Sequence, residues 1–138
     1  INTALRTNKN TFETVVTTLK NIIEKCAKTT GPITLYRGVT TNAFLQSLKI
    51  GDKFSDPAFL STSIQEPLEI FVSKTCCLMV IHIPKDYPAL WIGTTSERQE
   101  EREVLLLPNL TLELIAKPYT ATYEIGQRDL LTYEFQAF

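Results

Sequence analysis

A pair of closely spaced glutamates is the clearest chemical signal in the sequence. Glu101 and Glu103 end an acidic stretch that leads straight into the aliphatic run 104–107. On an extended segment, side chains two apart point the same way, so these carboxylates would share a face about 6–7 Å apart, with Arg102 pointing away. Carboxylates so close repel each other, which suits them to different tasks in one reaction. The alternative is a solvated charged turn before a buried strand.

An arginine and a group of small hydroxyl residues could complete a site. The segment Ile33–Val39 alternates apolar and polar residues as far as Tyr36, which predicts a strand with Arg37 near its end. The guanidinium could bind phosphate or carboxylate there, and Gly38 would let a ligand approach the backbone; a surface ion pair is the alternative for Arg37. Farther along, 59–63 places three hydroxyl residues after an apolar pair, which suits a strand end lining a cleft but is also common in loops.

Apolar periodicity predicts the helices that precede these segments. Asn10 can cap a helix with Glu13 reaching back, and one buried face follows at helical spacing: Phe12, Val15, Val16, Leu19, Ile22, Ile23 and Cys26. A short helix is predicted over 41–48, with Phe44, Leu45 and Leu48 facing inward.

The rest of the chain favours strands. Besides Ile33–Val39, they are predicted at 76–83, 89–92, 101–107, 110–114, 122–125 and 131–138, the first of these being central and ended by Pro84. Because helices come first and strands follow, the pattern predicts an α+β fold class.

Composition restricts the class of protein. The chain has 138 residues and a net charge of −1, so we expect one domain, 1–138, without a broad surface for nucleic acid. Because it begins with Ile, we expect it to be cut from a longer chain. The longest apolar run, 76–83, is too short to cross a membrane. A single histidine, His82, and three cysteines argue against a metal site or a disulfide framework, so we expect free thiols and a half-exposed strand histidine.

Three motifs in this order resemble the mono-ADP-ribosyltransferases of the Arg-Ser-Glu class. They are Arg37 with its strand 35–38, Ser61 within 59–63, and Glu103 followed by paired leucines within 101–106. The likeness covers nearly the whole chain, and the opening residues 1–6 are similar to the helix end that precedes the arginine strand in the bacterial toxin branch. It implies an ADP-ribosyltransferase fold, with N-terminal helices, then a mixed, mostly antiparallel, two-sheet β core around a central NAD cleft.

The resemblance implies a role for each of these residues, with NAD as substrate and no metal. Glu103 would stabilise the oxocarbenium-like transition state at the ribose and hold its 2′-hydroxyl. Ser61 would orient Glu103, Arg37 would bind the pyrophosphate, and the Gly38 backbone would hold the nicotinamide amide. In this class a glutamate at the position of Glu101 is associated with arginine acceptors, since a carboxylate must pair with the guanidinium and assist its proton loss.

Four further residues are assigned to NAD by likeness alone. Asn2 and Arg6, on one helix face, resemble the family's pair near the phosphates. Phe71 and Lys74 resemble the aromatic and basic pair of the phosphate-nicotinamide loop, although the family usually has arginine in the second place. A core role for Phe71 is equally open.

The resemblance also implies a biological setting. We expect a monomeric toxin or effector domain, secreted or delivered into a host cell, that modifies an arginine of a target protein, with actin a candidate by likeness alone. Two alternatives stay open at this point. The same site could chiefly hydrolyse NAD, or the chain could be a non-catalytic NAD-binding module.

Overall fold

The computed structural model describes residues 13–26, 28–39, 43–64, 77–91, 103–123 and 128–138. One long helix, α1 (Glu13–Cys26), comes first, and a single-turn helix, α2 (Ala43–Gln46), follows the first strand. The strands in these ranges are β1 (Ile33–Val39), β2 (Lys53–Ser55), β3 (Leu60–Ser63), β4 (Cys77–Ile83), β5 (Ala89–Trp91), β6 (Glu103–Leu106), β7 (Thr111–Leu114), β8 (Tyr119–Tyr123) and β9 (Arg128–Ala137). The predicted α+β class is confirmed. Within the described ranges, no helix is long and apolar enough to cross a membrane.

The strands form one hydrogen-bonded series in the order β2–β7–β9–β4–β1–β3–β6–β5, with β8 pairing to β9 beside this path. Among the described strands β4 and β9 are parallel and the other pairs antiparallel, so the sheet is mixed and mostly antiparallel, as predicted. The link between β1 and β3 is a single residue pair, Tyr36–Ser63, whereas β1 and β4 share seven pairs. The predicted division into two sheets is therefore seen only as this narrow junction.

Of the three apolar clusters in the described ranges, two hold the strands that carry the site residues. The larger lies on one face of the sheet and includes Leu35, Ile81, Leu106 and Phe135, each fully buried. The second lies under α1, where Val16 and Ile23 pack with Phe59 and Leu107, and Leu105 of β6 joins from the strand next to them. Burial of these side chains supplies the main free energy of folding. It also fixes the two strands, β3 and β6, that carry predicted site residues.

Some predicted details are wrong. On α1, Val15 is 46% and Ile22 41% exposed, because the helix meets the sheet along a narrower stripe than its apolar spacing suggested. Phe44 is 55% exposed, since α2 makes one turn and directs only Leu45 into the core. The strand expected at 122–125 begins earlier, at Tyr119, and positions 124 and 125 lie outside the described ranges. β2 was not predicted, because three residues are too few for their alternation to distinguish a strand from a turn.

A buried tyrosine ties three distant segments together. The Tyr87 hydroxyl donates to the Phe138 carbonyl at 3.2 Å, and the Tyr87 backbone N–H donates to Thr29 Oγ1 at 2.9 Å. Thr29 Oγ1 in turn donates to the Pro84 carbonyl at 2.7 Å. The segment that enters β1 is thus fastened to the β4–β5 turn and the chain end. Burial raises the pKa of Tyr87 to about 12.

We predict that Leu106→Ala lowers the free energy of unfolding by about 2–5 kcal/mol, because it removes a fully buried side chain and leaves a cavity. Urea denaturation followed by circular dichroism would measure the change. Ile50→Ala is the control, since Ile50 is 63% exposed and should change stability by less than about 0.5 kcal/mol. Equal effects of the two variants would contradict the packing described for β6.

We predict that the raised pKa of Tyr87 makes the free energy of unfolding decline in alkaline solution. Its pKa is raised from 10.0 in the unfolded chain to about 12 in the fold, so its contribution is fully present below pH 10.0 and is lost as the pH rises toward 12. Tyr87→Phe should therefore show a flatter decline of unfolding free energy over this range than the parent protein. Parallel urea titrations at several alkaline pH values test this, and identical slopes would refute it.

Candidate active site

The strand pair β3–β6 brings a serine and a glutamate together. Their register sets Ser63 opposite Glu103 and Ser61 opposite Leu105, so all four side chains share one face. Ser61 Oγ donates a hydrogen bond of 2.6 Å to Glu103 Oε1. Ser61 is exposed and Glu103 half-buried. The bond therefore fixes the direction of a carboxylate that can still be reached from outside.

Arg37 joins this pair from the neighbouring strand. Its Nη1 donates a 2.9 Å hydrogen bond to the Ser61 carbonyl oxygen. The bond crosses from β1 to β3 next to their single register pair, Tyr36–Ser63. One residue, Ser61, is thus held by a cation through its backbone and holds an anion through its side chain.

Thr62 supports the site from the opposite face of β3. It is 4% exposed, and its hydroxyl donates to the Val104 carbonyl at 2.7 Å. This bond ties the residue after Ser61 to the residue after Glu103. The sequence placed Thr62 with Ser61 and Ser63 among three hydroxyl residues suited to lining a cleft, and for Thr62 this is wrong, because its side chain is buried on the opposite face. The signal that could have revealed this is the alternation in 61–63, which turns the central hydroxyl toward the core when its neighbours face out.

A cavity of about 490 Å³ adjoins the arginine. Arg37 and Gly38 form part of its wall, and the other lining residues are mainly apolar: Val39, Phe44, Leu45, Phe54, Asp56, Leu60, Met79 and Leu112. Ser61 and Glu103 lie outside this lining. The structure therefore places Arg37 between the cavity and the Ser61–Glu103 pair, and brings Gly38 to the cavity wall.

The remaining predicted site residues lie outside the described ranges. These are Asn2, Arg6, Phe71, Lys74 and Glu101. Within the described ranges, no group of histidine, cysteine, aspartate and glutamate side chains is arranged to hold a metal ion. Cys77 in β4 is buried and forms no disulfide with any residue in the described ranges.

The geometry suits a ligand with two kinds of charge. Arg37 can bind an anionic part, and Glu103 can stabilise positive charge that develops at a carbon held near it. Because the serine fixes the carboxylate in advance, that stabilisation needs little rearrangement during a reaction.

Several solved structures of bacterial toxins are similar to this chain in fold. C3larvin, an ADP-ribosyltransferase from Paenibacillus larvae, matches with a TM-score of 0.79 at 20% identity over 99% of this chain and 85% of that one. Plx2a, an ADP-ribosyltransferase toxin from the same species, matches with a TM-score of 0.81 at 18% identity over 99% and 78%. BECa, an ADP-ribosylating toxin of a C. perfringens binary enterotoxin solved with NADH, gives 0.74 at 15% over 94% and 36%. The fold is that of an ADP-ribosyltransferase toxin.

The family model for the ADP-ribosyltransferase exoenzymes matches residues 1–122. The chain therefore belongs to the ADP-ribosyltransferase exoenzyme family, and the resemblance seen in the sequence is confirmed. No curated protein sequence matches it.

We predict that Thr62→Val lowers the free energy of unfolding by about 1 kcal/mol, because the Val104 carbonyl loses a buried hydroxyl donor. Thr120→Val is the matched control, since Thr120 is an exposed strand threonine and the same change there should cost less than about 0.5 kcal/mol. Urea denaturation measures both variants. A Thr62→Val protein as stable as the parent would show that this hydroxyl does not brace the strands.

Proposed function

We propose that the protein transfers ADP-ribose from NAD to an arginine side chain of a target protein and releases nicotinamide. The observation that carries this proposal is the 2.6 Å bond from Ser61 to Glu103, with Arg37 bonded to the same serine. Membership of the ADP-ribosyltransferase exoenzyme family and the NADH held by the related BECa support NAD as the substrate.

Glu103 is the catalytic carboxylate of this proposal. When the bond between the nicotinamide nitrogen and the ribose C1′ breaks, nicotinamide leaves as a neutral molecule and positive charge develops on the ribose. The carboxylate stabilises that charge. Ser61 engages Oε1, which leaves Oε2 to accept a hydrogen bond from the ribose 2′-hydroxyl. No strong acid is required, because the leaving group departs from a pyridinium.

Arg37 and Gly38 bind the rest of NAD in this proposal. The Arg37 guanidinium binds the pyrophosphate, and the Gly38 backbone holds the nicotinamide amide. Pyrophosphate binding at Arg37 and orientation of Glu103 by Ser61 are then mechanically linked, because Arg37 is bonded to the Ser61 carbonyl. Family likeness adds contacts with NAD from Asn2, Arg6, Phe71 and Lys74.

Glu101 selects the acceptor in this proposal. A guanidinium is cationic and holds its protons tightly, so it becomes a nucleophile only when a carboxylate pairs with it and takes a proton as it attacks. The new bond joins an arginine nitrogen to the ribose C1′, and Glu101 receives the proton. Glu101 lies two residues before Glu103. On an extended segment the two carboxylates would share a face, so one could act on the acceptor arginine while the other acts on the ribose.

The proposed setting is that of a toxin or effector. The similar proteins C3larvin and Plx2a are toxins from Paenibacillus larvae, so we propose secretion or delivery into a host cell, where the domain acts on a host protein. Actin remains a candidate target by family likeness alone.

The test compares two glutamine variants by two readouts. Glu103→Gln should slow both nicotinamide release and ADP-ribose transfer by about 100-fold or more, since it removes the charge that the transition state needs. Glu101→Gln should slow transfer to arginine by a similar factor of about 100 but leave NAD hydrolysis nearly unchanged. Labelled NAD, a host lysate and mass spectrometry of the modified residue give the transfer rate, and chromatography gives nicotinamide release.

Glu24→Gln, an exposed substitution on α1, is the control for the charge change and should behave like the parent protein. Transfer that survives Glu101→Gln at the parent rate would contradict the assigned role of that residue. Nicotinamide release without labelled protein would instead identify an NAD glycohydrolase. A parent protein that binds NAD without cleaving it would identify a non-catalytic module.

A further inference from the structure

A cavity of about 330 Å³ lies behind the strand pair that carries Ser61 and Glu103. Register sets Trp91 of β5 opposite Val104, the residue after Glu103, so the indole shares a face with Val104 and lies on the side of the sheet opposite to Glu103. Five apolar residues line the cavity: Ile33, Ile64, Ala89, Trp91 and Val104. We call this space the Trp91 cavity.

The tryptophan leaves apolar surface in contact with water. Trp91 is 49% exposed, and β5 is the last strand of the described series, with β6 as its one partner among the described strands. Ala89, two residues earlier on the same face, is too small to fill the space beside the indole. A large aromatic side chain at the rim of an apolar cavity is typical of the residues that contribute most to binding a partner.

The polar wall of the Trp91 cavity is held in place by hydrogen bonds. It consists of Lys28, Thr29 and Thr30. The Thr29 backbone N–H donates to the Tyr87 carbonyl at 3.0 Å, and the Thr29 carbonyl accepts from the Asp86 backbone N–H at 2.9 Å. Because this wall is fixed in advance, a ligand would enter the cavity without first ordering the chain around it.

One cation stands at the rim. Lys28 is exposed, and it is the charged residue among the described residues that line the cavity. The adjoining turn 85–86 and the end of α1, 24–25, each carry one charge of either sign. Among the described residues, no carboxylate is paired with the Lys28 ammonium. The rim therefore favours a ligand with an anionic group beside its apolar part.

The position of the cavity points to a protein as the ligand. Adjacent strands lie about 4.8 Å apart, so only the width of β5 separates the backbone of Glu103 from the edge of the described sheet. A protein interface of ordinary size covers about 800 Å² on each partner. A target protein whose arginine reaches Glu103 therefore extends past this edge to Trp91.

We propose that the Trp91 cavity holds an apolar side chain of the target protein, next to an acidic residue of that protein which pairs with Lys28. The indole and the aliphatic walls contact the apolar side chain, and the ammonium contacts the carboxylate. This inference rests on the proposed transfer to a protein, and it adds the chemistry by which that protein is chosen.

Trp91 gives a direct binding assay, because it is the single tryptophan of the chain. The peptide acetyl-Gly-Leu-Glu-Gly-amide is titrated into the protein without NAD, and the tryptophan fluorescence is followed. We expect a saturable change with a millimolar or tighter dissociation constant. Serine in place of leucine should weaken binding at least about tenfold, because the apolar contact is lost. Lysine in place of glutamate should weaken it about threefold, since an exposed ion pair contributes little.

Variants test the walls of the cavity. Ala89→Leu fills it and should weaken the peptide at least about tenfold, and Lys28→Gln should weaken it about threefold. Lys117→Gln, an exposed substitution between β7 and β8, is the matched control and should bind like the parent, as should Glu103→Gln. Absence of a saturable change in the parent, equal binding of the serine peptide, or full affinity in both Ala89→Leu and Lys28→Gln would overturn the proposal. Tighter binding of 4-methylpentanoate than of the peptide would assign the cavity to a free acid and would also overturn it.

A second assay connects the cavity with the choice of target. Labelled NAD is supplied with either host lysate proteins or agmatine, a free guanidine that is too small to reach both sites. Ala89→Leu should slow transfer to protein at least about tenfold and leave transfer to agmatine near the parent rate. An equal loss with both acceptors would show general damage to the domain and refute the role in target choice. A parent protein that binds the peptide but transfers nothing would refute the proposed transferase and retain the cavity as a peptide site.

Discussion

The geometry of the candidate active site depends on the junction between β1 and β3. Those strands share one register pair, and the Arg37–Ser61 hydrogen bond is a second link at the same place. Ser61 then passes the constraint to Glu103 through its hydroxyl. The three side chains predicted from distant motifs thus meet as a chain of two hydrogen bonds across three strands. A shift of β3 by one residue would turn Ser61 toward the core and break the chain, because strand side chains alternate.

The apolar packing holds this register. On β3 and β6, the residues that alternate with Ser61 and Glu103 are buried: Leu60, Thr62, Val104 and Leu106. A slip of one residue would expose these four and bury a carboxylate, which costs several kcal/mol in an apolar environment. Leu105, on the same face as Glu103, packs toward the cluster under α1. On this face of β6, the contact with the cluster under α1 includes Leu105 and ends before Glu103, which leaves the Glu103 carboxylate accessible.

The sequence predicted the regular parts of the fold well and the contacts poorly. β1, β4 and β7 have clear alternation or long apolar runs, so their existence and burial could be predicted. β2 could not, because it has only three residues and its place depends on backbone pairing with β7 and on the contact of Phe54 with Phe135, a residue far along the chain. The outward position of Phe44 depends on α2 ending after one turn, which apolar spacing does not reveal.

At the candidate site too, the sequence predicted the residues better than their contacts. Motif order predicted that Arg37, Ser61 and Glu103 belong to one site, and the structure shows Arg37 bonded to the Ser61 carbonyl and the Ser61 hydroxyl bonded to Glu103. It could not predict that Arg37 bonds to a backbone carbonyl, since every residue carries that acceptor and no side-chain pattern marks the one that is used. His82 was expected to be a half-exposed strand residue, and its side chain is 34% exposed. Its bond to Glu134 depends on the parallel pairing of β4 with β9, two strands far apart in the sequence.

The Thr34–His82 pair and the Arg37–Ser61 pair share β1 but should be energetically independent. Thr34 and Arg37 are three residues apart, which corresponds to about 10 Å along a strand and to opposite faces of the sheet. They have no common hydrogen-bond partner, since Thr34 contacts His82 and Arg37 contacts Ser61. Effects at such separations usually add. A change at the Thr34–His82 pair should therefore leave the Arg37–Ser61 bond unaltered.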